Sequence, residues 1–570
     1  MLSARGLLNI METKNCKKCK TNFVIEPDDF NFYEKKGVSP PEMCPLCRQE
    51  QRILFRNFKT LYKRPSDKSG KSIISMYHDK TPFPVWSHDE WWSDDWDAKS
   101  YGRDFDLDRP FFDQLFDLWK EVPHYSLMNT ASENCEYTNM TWRSKNCYYV
   151  FGCIENEDCD FGHLVWNSVD TVDCLYAFKC ELCYESIDCV NCNKVLYSQD
   201  CENCSDSIAL FDCRGCSNCI GCVGLQQKSY CIFNQQVTKE EYEKFLKENP
   251  ITDLKSIEKI LAKQNELRLK LPHRYYFGFR NHNVSGNHIL NAKNVHYSFD
   301  VKGGENSKFG FTVYNYKDCY DVSFNPLDLE DSYMAMASGN SNNLLACHIC
   351  TNNSYASYSE HCYNSHNIFG CQGLKSSEYC ILNKQYSKEE YEKLKAKIIE
   401  HMKKTGEWGK WFPPSMSTFA YNESIVNEYS PKTKEEALKF GYTWKDDLPI
   451  TLGQENTSYD QLPKNPVKYD SELLKAVLKC KKCSRNYRFI DREITVYKKL
   501  GIALPENCFN CRHERRMKLR LPRKLWHRSC MCDKKHNNHE GQCEVEFETS
   551  YAPDRPEIIY CEKCYQQEVY

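Results

Sequence analysis

The residues that could do chemistry are the cysteines, 35 in a chain of 570. Cys16 and Cys19 ("CKKC") are separated from Cys44 and Cys47 ("CPLC") by 24 residues, and the same interval separates Cys480 and Cys483 ("CKKC") from Cys508 and Cys511 ("CFNC"). Two CxxC knuckles at this distance offer four thiolates to one tetrahedral zinc, because each knuckle turns tightly enough to aim both sulfurs at one point. A last group, Cys530, Cys532, Cys543, Cys561 and Cys564, has one thiol too many for a single site. There Cys561 and Cys564 make the second knuckle and Cys543 ends the first. Cys532 is preferred to Cys530 as the fourth ligand, with His536 and His539 read as solvated loop residues. Three zinc ions are expected, one per module.

The first two modules are copies beyond their ligands. Tyr33, Gly37, Pro41, Glu42, Arg48, Glu50, Arg52 and Arg56 recur as Tyr497, Gly501, Pro505, Glu506, Arg512, Glu514, Arg516 and Arg520. Units this short bury too little to fold alone, so metal binding supplies their folding energy.

The remaining cysteines follow a different rule. From Cys135 to Cys231 every cysteine number is divisible by three, and Thr138, Ser144, Val150, Ala177, Ser186, Val195 and Leu210 hold the same phase. Knuckles need local pairs and no such phase. A narrow solenoid does need it, because each short coil turns one small side chain inward at fixed intervals. "SIDCVNC", "YSQDCENC" and "LFDCRGC" recur every 12 residues. Cysteine suits such an interior as a small, readily buried hydrophobe. Neighbouring coils would also lie close enough for disulfides, which a reducing cytosol disfavours.

The array occurs twice. "GCVGLQQKSYCIFNQQVTKEEYEK" at 221–244 returns as "GCQGLKSSEYCILNKQYSKEEYEK" at 370–393. The second copy keeps the phase, slips by one near Pro326, and continues through Ala335, Ser338, Cys347, Cys350, Cys362 and Cys371. Ser, Ala and Val often replace Cys there, which a packing position tolerates and a ligand position does not. Thr238 with Glu241, and Ser387 with Glu390, form capping boxes that start a helix after each array; these helices are expected to cover its open end.

The elements that must carry these groups divide the chain as follows: a zinc ribbon at 11–58, an acidic Trp-rich segment at 59–128, array 1 with its helix at 129–250, and array 2 at 251–404. A Pro-punctuated connector at 405–472, a second ribbon with a basic helix at 473–526 and a C-terminal zinc module at 527–570 complete it. The fold class read from this order is mainly β, two short-coil β-solenoid arrays with capping helices flanked by small zinc-binding modules. Residues 89–121 hold eleven Asp/Glu against four Lys/Arg, and the nearby tryptophans suit packing on a partner surface. Residues 480–528 reverse this with fifteen Lys/Arg against four Asp/Glu. Arg512, Arg515, Arg516, Lys518, Arg520, Arg523, Lys524 and Arg528 make a basic stripe suited to phosphates; the alternatives are a solvated helix or one paired with the acidic 89–121 segment of the same chain. Only a five-residue apolar patch, Gly6 to Ile10, stands near the start, and no run approaches the length of a membrane span. A soluble cytoplasmic protein is expected.

The two paired-knuckle modules resemble zinc-ribbon domains of treble-clef type, and "FETSYAPDRPEIIYCEKCYQQEV" resembles a second such domain. The whole order resembles a group of uncharacterised bacterial proteins with ribbons at both ends of a duplicated Cys-rich array. That resemblance implies zinc at the eight paired-knuckle cysteines and brings no activity with it. The leading expectation is a non-enzymatic zinc scaffold that docks on nucleic acid or a nucleoprotein through its ribbons and on other proteins through its solenoid surface. The alternatives are a carbohydrate-type enzyme using Asp158, Asp160, Asp170 and Asp173 on the flank of array 1, and metal or redox storage by the array thiols.

Overall fold

The computed structural model describes residues 11–324, 329–330, 332–336, 339–349, 351–537 and 539–569. Pro326, Ser338, Cys350 and the patch at 6–10 lie outside the described residues. The chain folds into many short strands in small sheets together with helices, 25 % helix and 27 % strand. The expectation of a mainly β chain is therefore corrected to a mixed one. The helices the periodicity did not announce include Leu254–Lys270 and Phe111–Glu121.

Array 1 is built on a three-residue unit. The first residue of each unit pairs in parallel with the residue 12 later, from Glu133↔Lys145 to Arg214↔Gln226. The second residue is left-handed, with φ between 45° and 58° at every non-glycine position of this phase from Ala131 to Phe233. The third points inward: Cys153, Cys159, Cys180, Cys183, Cys189, Cys213 and Cys222 are all 0 % exposed. Left-handed backbone is costly for residues with a Cβ, and Asn and Asp tolerate it best. Hence Asn134, Asn146, Asp158, Asp170, Asp173, Asp188, Asn191, Asp200 and Asn203 occupy that position.

Hydrogen bonds between successive repeats offset the strain. Glu133 N–H donates to Ser144 O (2.9 Å), and Asn146 N–H donates back to Glu133 O (3.0 Å). The inward side chains join the same network. The Cys174 thiol donates to Val172 O (3.6 Å) and Cys183 O (3.5 Å), whereas inward Ser198 accepts from Leu210 N–H (2.9 Å). A small side chain fits each inward place, and where it is Cys or Ser its thiol or hydroxyl bonds the backbone of its own or the next repeat; Val150, Ala177, Val195 and Leu210 fill the same phase by packing alone. No disulfide links any described cysteine.

Array 2 repeats this pattern. Phe299 pairs with Phe311 and Tyr333 with Leu345, both 12 apart, but Tyr320 pairs with Tyr333, 13 apart. That extra residue is the predicted one-residue slip. Thr238 and Ser387 cap helices Lys239–Glu248 and Lys388–Thr405 through the predicted capping boxes. Each follows a short antiparallel return, Cys231↔Gln236 and Cys380↔Gln385, and packs a tyrosine on the last strand, Tyr242 on Tyr230 and Tyr391 on Tyr379.

Trp91 and Trp119 are buried. The surface on which the acidic segment packs is array 2 of the same chain: Trp91 meets Tyr363 edge-on (5.8 Å), and Phe111 meets Tyr358 and Phe369. No helix among the described residues is long and apolar enough to cross a membrane.

Candidate metal centres and the docking of their modules

In the N-terminal module, hairpin Glu12–Asn15/Asn22–Ile25 presents Cys16 and Cys19, and helix Pro45–Ile53 starts immediately after Cys44. The four sulfurs lie within 4.8 Å of one another. Cys44 N–H donates to the Cys16 sulfur at 3.3 Å, and Cys19 and Cys44 sulfurs stand 3.7 Å apart. The second module reproduces both distances, Cys508 N–H to Cys480 at 3.3 Å and Cys483 to Cys508 at 3.7 Å. Hydrogen bonding with Cys47 draws the Cys44 thiol down to about 5. For Cys480, burial pushes upward, but N–H groups of Cys483, Cys508 and Lys482 bring the thiol to about 7. Cys47 rises as Cys44 falls, and in the second module burial raises Cys511 and pushes Cys508 up to about 12, so the direction differs among the four thiols of one group. In the arrays, burial pushes Cys153 and Cys319 up to about 12 and Cys380 to about 11. Where array thiols touch, one falls as its partners rise: Cys189 is drawn to about 7 by Cys192 and Cys201, both of which are raised.

The C-terminal module corrects the preference for Cys532. Cys530 is the thiol that gathers with Cys543, Cys561 and Cys564, and its sulfur accepts from Cys561 N–H at 3.2 Å. Hairpin Trp526–Ser529/Glu546–Thr549 sets this register, with Cys530 N–H donating to Val545 O. Cys532 turns instead toward His536 and His539, and these three form a second cluster that includes Cys564. His536 Nε2 lies 3.1 Å from the Cys532 sulfur and His539 Nε2 lies 3.1 Å from Cys564. The two histidines are thus grouped with thiols instead of standing in solvent. The spacing from Cys532 to His536 and His539 was the signal that could have found them.

The basic stripe is divided by the fold. Arg512 and Arg516 on helix Phe509–Leu519 are buried and both donate to Asp173 of array 1, at 2.7 and 2.9 Å. Arg516 and Arg515 also pair with Glu185, each at 2.8 Å. Burial opposes ionisation of Glu185, yet Arg515, Arg516 and Arg512 hold its carboxyl at about 2. Arg520 pairs with Asp188 (2.8 Å) and Asp300, and Arg523 with Asp300. Arg528 donates to Ala552 O, while Lys518 and Lys524 are exposed. The stripe's inner face is therefore engaged by carboxylates of both arrays, and neither a solvated helix nor pairing with the acidic 89–121 segment describes it.

The same contact is made at the other end of the chain. Arg48 and Arg52, the counterparts of Arg512 and Arg516, both donate to Asp321 of array 2, at 2.9 Å. Asp173 and Asp321 are each left-handed corner residues, fully buried. The docking is crossed: the N-terminal module sits on array 2 and the second module on array 1. One neighbouring pair is reversed in sign between the two contacts. Array 1 offers Asp160 to Arg492 (2.6 Å), whereas array 2 offers Lys308 to Glu26 and to Asp29 (2.8 Å).

The carboxylates considered for polymer cleavage belong to this docking surface. Asp160 meets Arg492, Asp170 meets Lys499 (3.1 Å) and Asp173 meets Arg512 and Arg516. Burial raises Asp160 to about 7, and Arg492 lowers it in opposition from 2.6 Å. Asp158 is a corner residue, φ 53°.

No family model and no curated protein matches this sequence. Among solved structures the chain is similar to "putative acetyltransferase from Desulfovibrio desulfuricans G20", at 9 % identity over 42 % of this chain and a TM-score of 0.10. The match spans 64 % of that chain, and at this score it carries no argument.

Proposed function

We propose that the chain is a non-enzymatic, zinc-clasped scaffold in which two β-solenoid arrays are held against each other and against the acidic segment by zinc ribbons. The observation that carries this reading is the pair of crossed clamps, Arg48/Arg52 on Asp321 and Arg512/Arg516 on Asp173. In each, a helix leaving a CxxC knuckle inserts two arginines into a buried aspartate, so the tetrathiolate ion sets the helix that makes the clamp. Parallel pairing 12 residues apart through array 1 and most of array 2, with one small inward residue in three, supports the solenoid reading of the arrays. Their thiols are read as packing groups, in line with their exchange for Ser and Ala between the two arrays.

Zinc is the ion of best fit for all-thiolate tetrahedral sites. Three such sites are proposed, with a further ion at Cys532, His536 and His539 sharing the Cys564 thiolate. Cys44→Ser and Cys508→Ser should each lose one zinc in native mass spectrometry and make helix Pro45–Ile53 or Phe509–Leu519 newly sensitive to protease. An unchanged count in either variant would overturn the reading.

A second reading, docking on nucleic acid, is favoured by one groove of about 890 Å³ between the acidic segment, the connector and helix Phe509–Leu519. Lys59, Lys63, Arg485, Lys518 and Arg523 line it, facing Glu423, Glu428 and Glu514. Retention on single-stranded RNA or DNA should fall with salt and be lost in Lys63→Glu/Arg485→Glu/Lys518→Glu; salt-independent or absent retention would remove this reading.

A further inference from the structure

Array 2 and the acidic segment close over a buried polar cluster that contains no cysteine. His124, Glu360 and His361 are 0 %, 1 % and 1 % exposed. One ligand atom from each lies within 4.8 Å of the others. His361 has no hydrogen-bond partner on either ring nitrogen, and Glu360 Oε2 and His124 Nδ1 have none either. Burying unpaired polar atoms is costly, and several converging on one point ask for a charged partner among them.

The surrounding bonds aim these atoms. His124 Nε2 is bonded to Trp119 O (3.1 Å), which leaves Nδ1 as its available atom. His348 Nδ1 lies 2.9 Å from Glu360 Oε1, so Oε2 is the carboxylate oxygen left over. His348 and Glu360 face each other one repeat apart, and His361 follows at a left-handed corner, φ 50°. Aromatic rings wall the cluster: Phe83 lies 4.1 Å from His124 and Tyr125 lies 4.4 Å from His361, centroid to centroid.

We propose that His124, Glu360 and His361 bind a divalent transition-metal ion that pins the acidic segment to array 2. Two imidazoles and one carboxylate are the donor set of zinc, iron(II), cobalt(II), nickel(II) or manganese(II), and a poor set for calcium or magnesium, which take oxygen ligands. Glu360 is oriented by His348 as the carboxylates of metal sites are oriented by an outer partner. The ligands come from two segments 236 residues apart, so the ion ties together pieces that no local sequence links. Array 1 lacks the set. Gly221 aligns with Gly370, which places Phe211 and Asp212 where array 2 has Glu360 and His361, and Asp212 is engaged by Tyr565 (2.8 Å).

The test is metal content of the full-length protein purified without chelator, by native mass spectrometry, in wild type, Glu360→Gln and His361→Gln. Each variant should hold one ion fewer than wild type while retaining every ion lost on substituting knuckle cysteines. Should the variants fail to fold, the wild-type protein loaded with cobalt(II) gives a second readout. It should show one cobalt with d–d bands but no sulfur-to-metal charge transfer, beside the thiolate-bound ions. Equal metal counts in folded variants and wild type, or a wild-type cobalt complement that is entirely thiolate-bound, would overturn the proposal. Either result is independent of whether Cys508→Ser loses its zinc, so this site and the ribbon reading can fail separately.

Discussion

Removing the buried aspartate from each clamp should cost unequal amounts. Asp321 is 0 % exposed and accepts from Arg48 and Arg52, whose other side-chain bonds are to Met43 O and Ser323 Oγ. Among the described residues no second carboxylate pairs with either arginine. Asp321→Ala therefore strands two buried guanidiniums, which places it at the upper end, about 5 kcal/mol, of the range for breaking a buried pair. Asp173 is equally buried, but Arg512 keeps Glu493 (3.1 Å) and Arg516 keeps Glu185. Asp173→Ala should cost about 3 kcal/mol. The assay is hydrogen exchange of helices Pro45–Ile53 and Phe509–Leu519 under native conditions, which reads each local opening separately. Faster exchange is expected in the first helix for Asp321→Ala and, to a smaller extent, in the second for Asp173→Ala. A change worth under about 1 kcal/mol, or Asp173→Ala as the costlier of the two, would refute the argument that these pairs hold the modules down.

The sign-reversed pair should behave as an address. Asp160→Lys should loosen the second module by setting lysine against Arg492, and adding Arg492→Glu should restore it; additive losses in the double-mutant cycle would dismiss the idea. In the C-terminal module, Cys530→Ser should lose the tetrathiolate ion and unfold the hairpin, whereas Cys532→Ser should lose only the Cys532/His536/His539 ion, as counted by native mass spectrometry. The reverse result would reinstate Cys532 as the fourth thiol. Stability should also fall in mild alkali through His288. Burial lowers its pKa, but Asp188 and Asp200, with Asp300 beyond and Arg520 opposing, raise it to about 9. Because the folded value lies above the unfolded one of about 6.5, the contribution is complete below that pH and lost as pH rises through 9. His288→Gln should flatten this part of the pH–stability profile, and a profile unchanged by the substitution would contradict it.

The parts of this structure set by local rules could be read from residue order. Capping boxes at Thr238 and Ser387, the three-residue phase of the array cysteines and the slip between Tyr320 and Tyr333 all follow from spacing, because each depends on neighbours within about one repeat. The left-handed corners were not read from residue order, although Asn and Asp fall one place before many of the cysteines, as in "DC" and "NC". What spacing could not show is which face of a helix meets which array. Arg512 and Arg516 look like phosphate ligands in sequence, and only the burial of Asp173 339 and 343 residues away turns them inward. Cys530 prevailed over Cys532 through hairpin register, a pairing that two near-adjacent cysteines cannot disclose. His124 and Glu360 lie too far apart in sequence for any motif to join them.

The most direct measurement contrasts one array thiol with one knuckle thiol. Cys204 is buried, and its sulfur donates to Glu202 O (3.5 Å) and Cys213 O (3.4 Å), bonds that a serine hydroxyl can replace. Cys508 is one of four sulfurs gathered within 4.8 Å. Native mass spectrometry of Cys204→Ser should give the wild-type metal count, and Cys508→Ser a count lower by one. Loss of metal from Cys204→Ser, or iron with sulfide in the wild-type protein, would contradict the central claim that the array thiols are packing and the knuckle thiols are ligands.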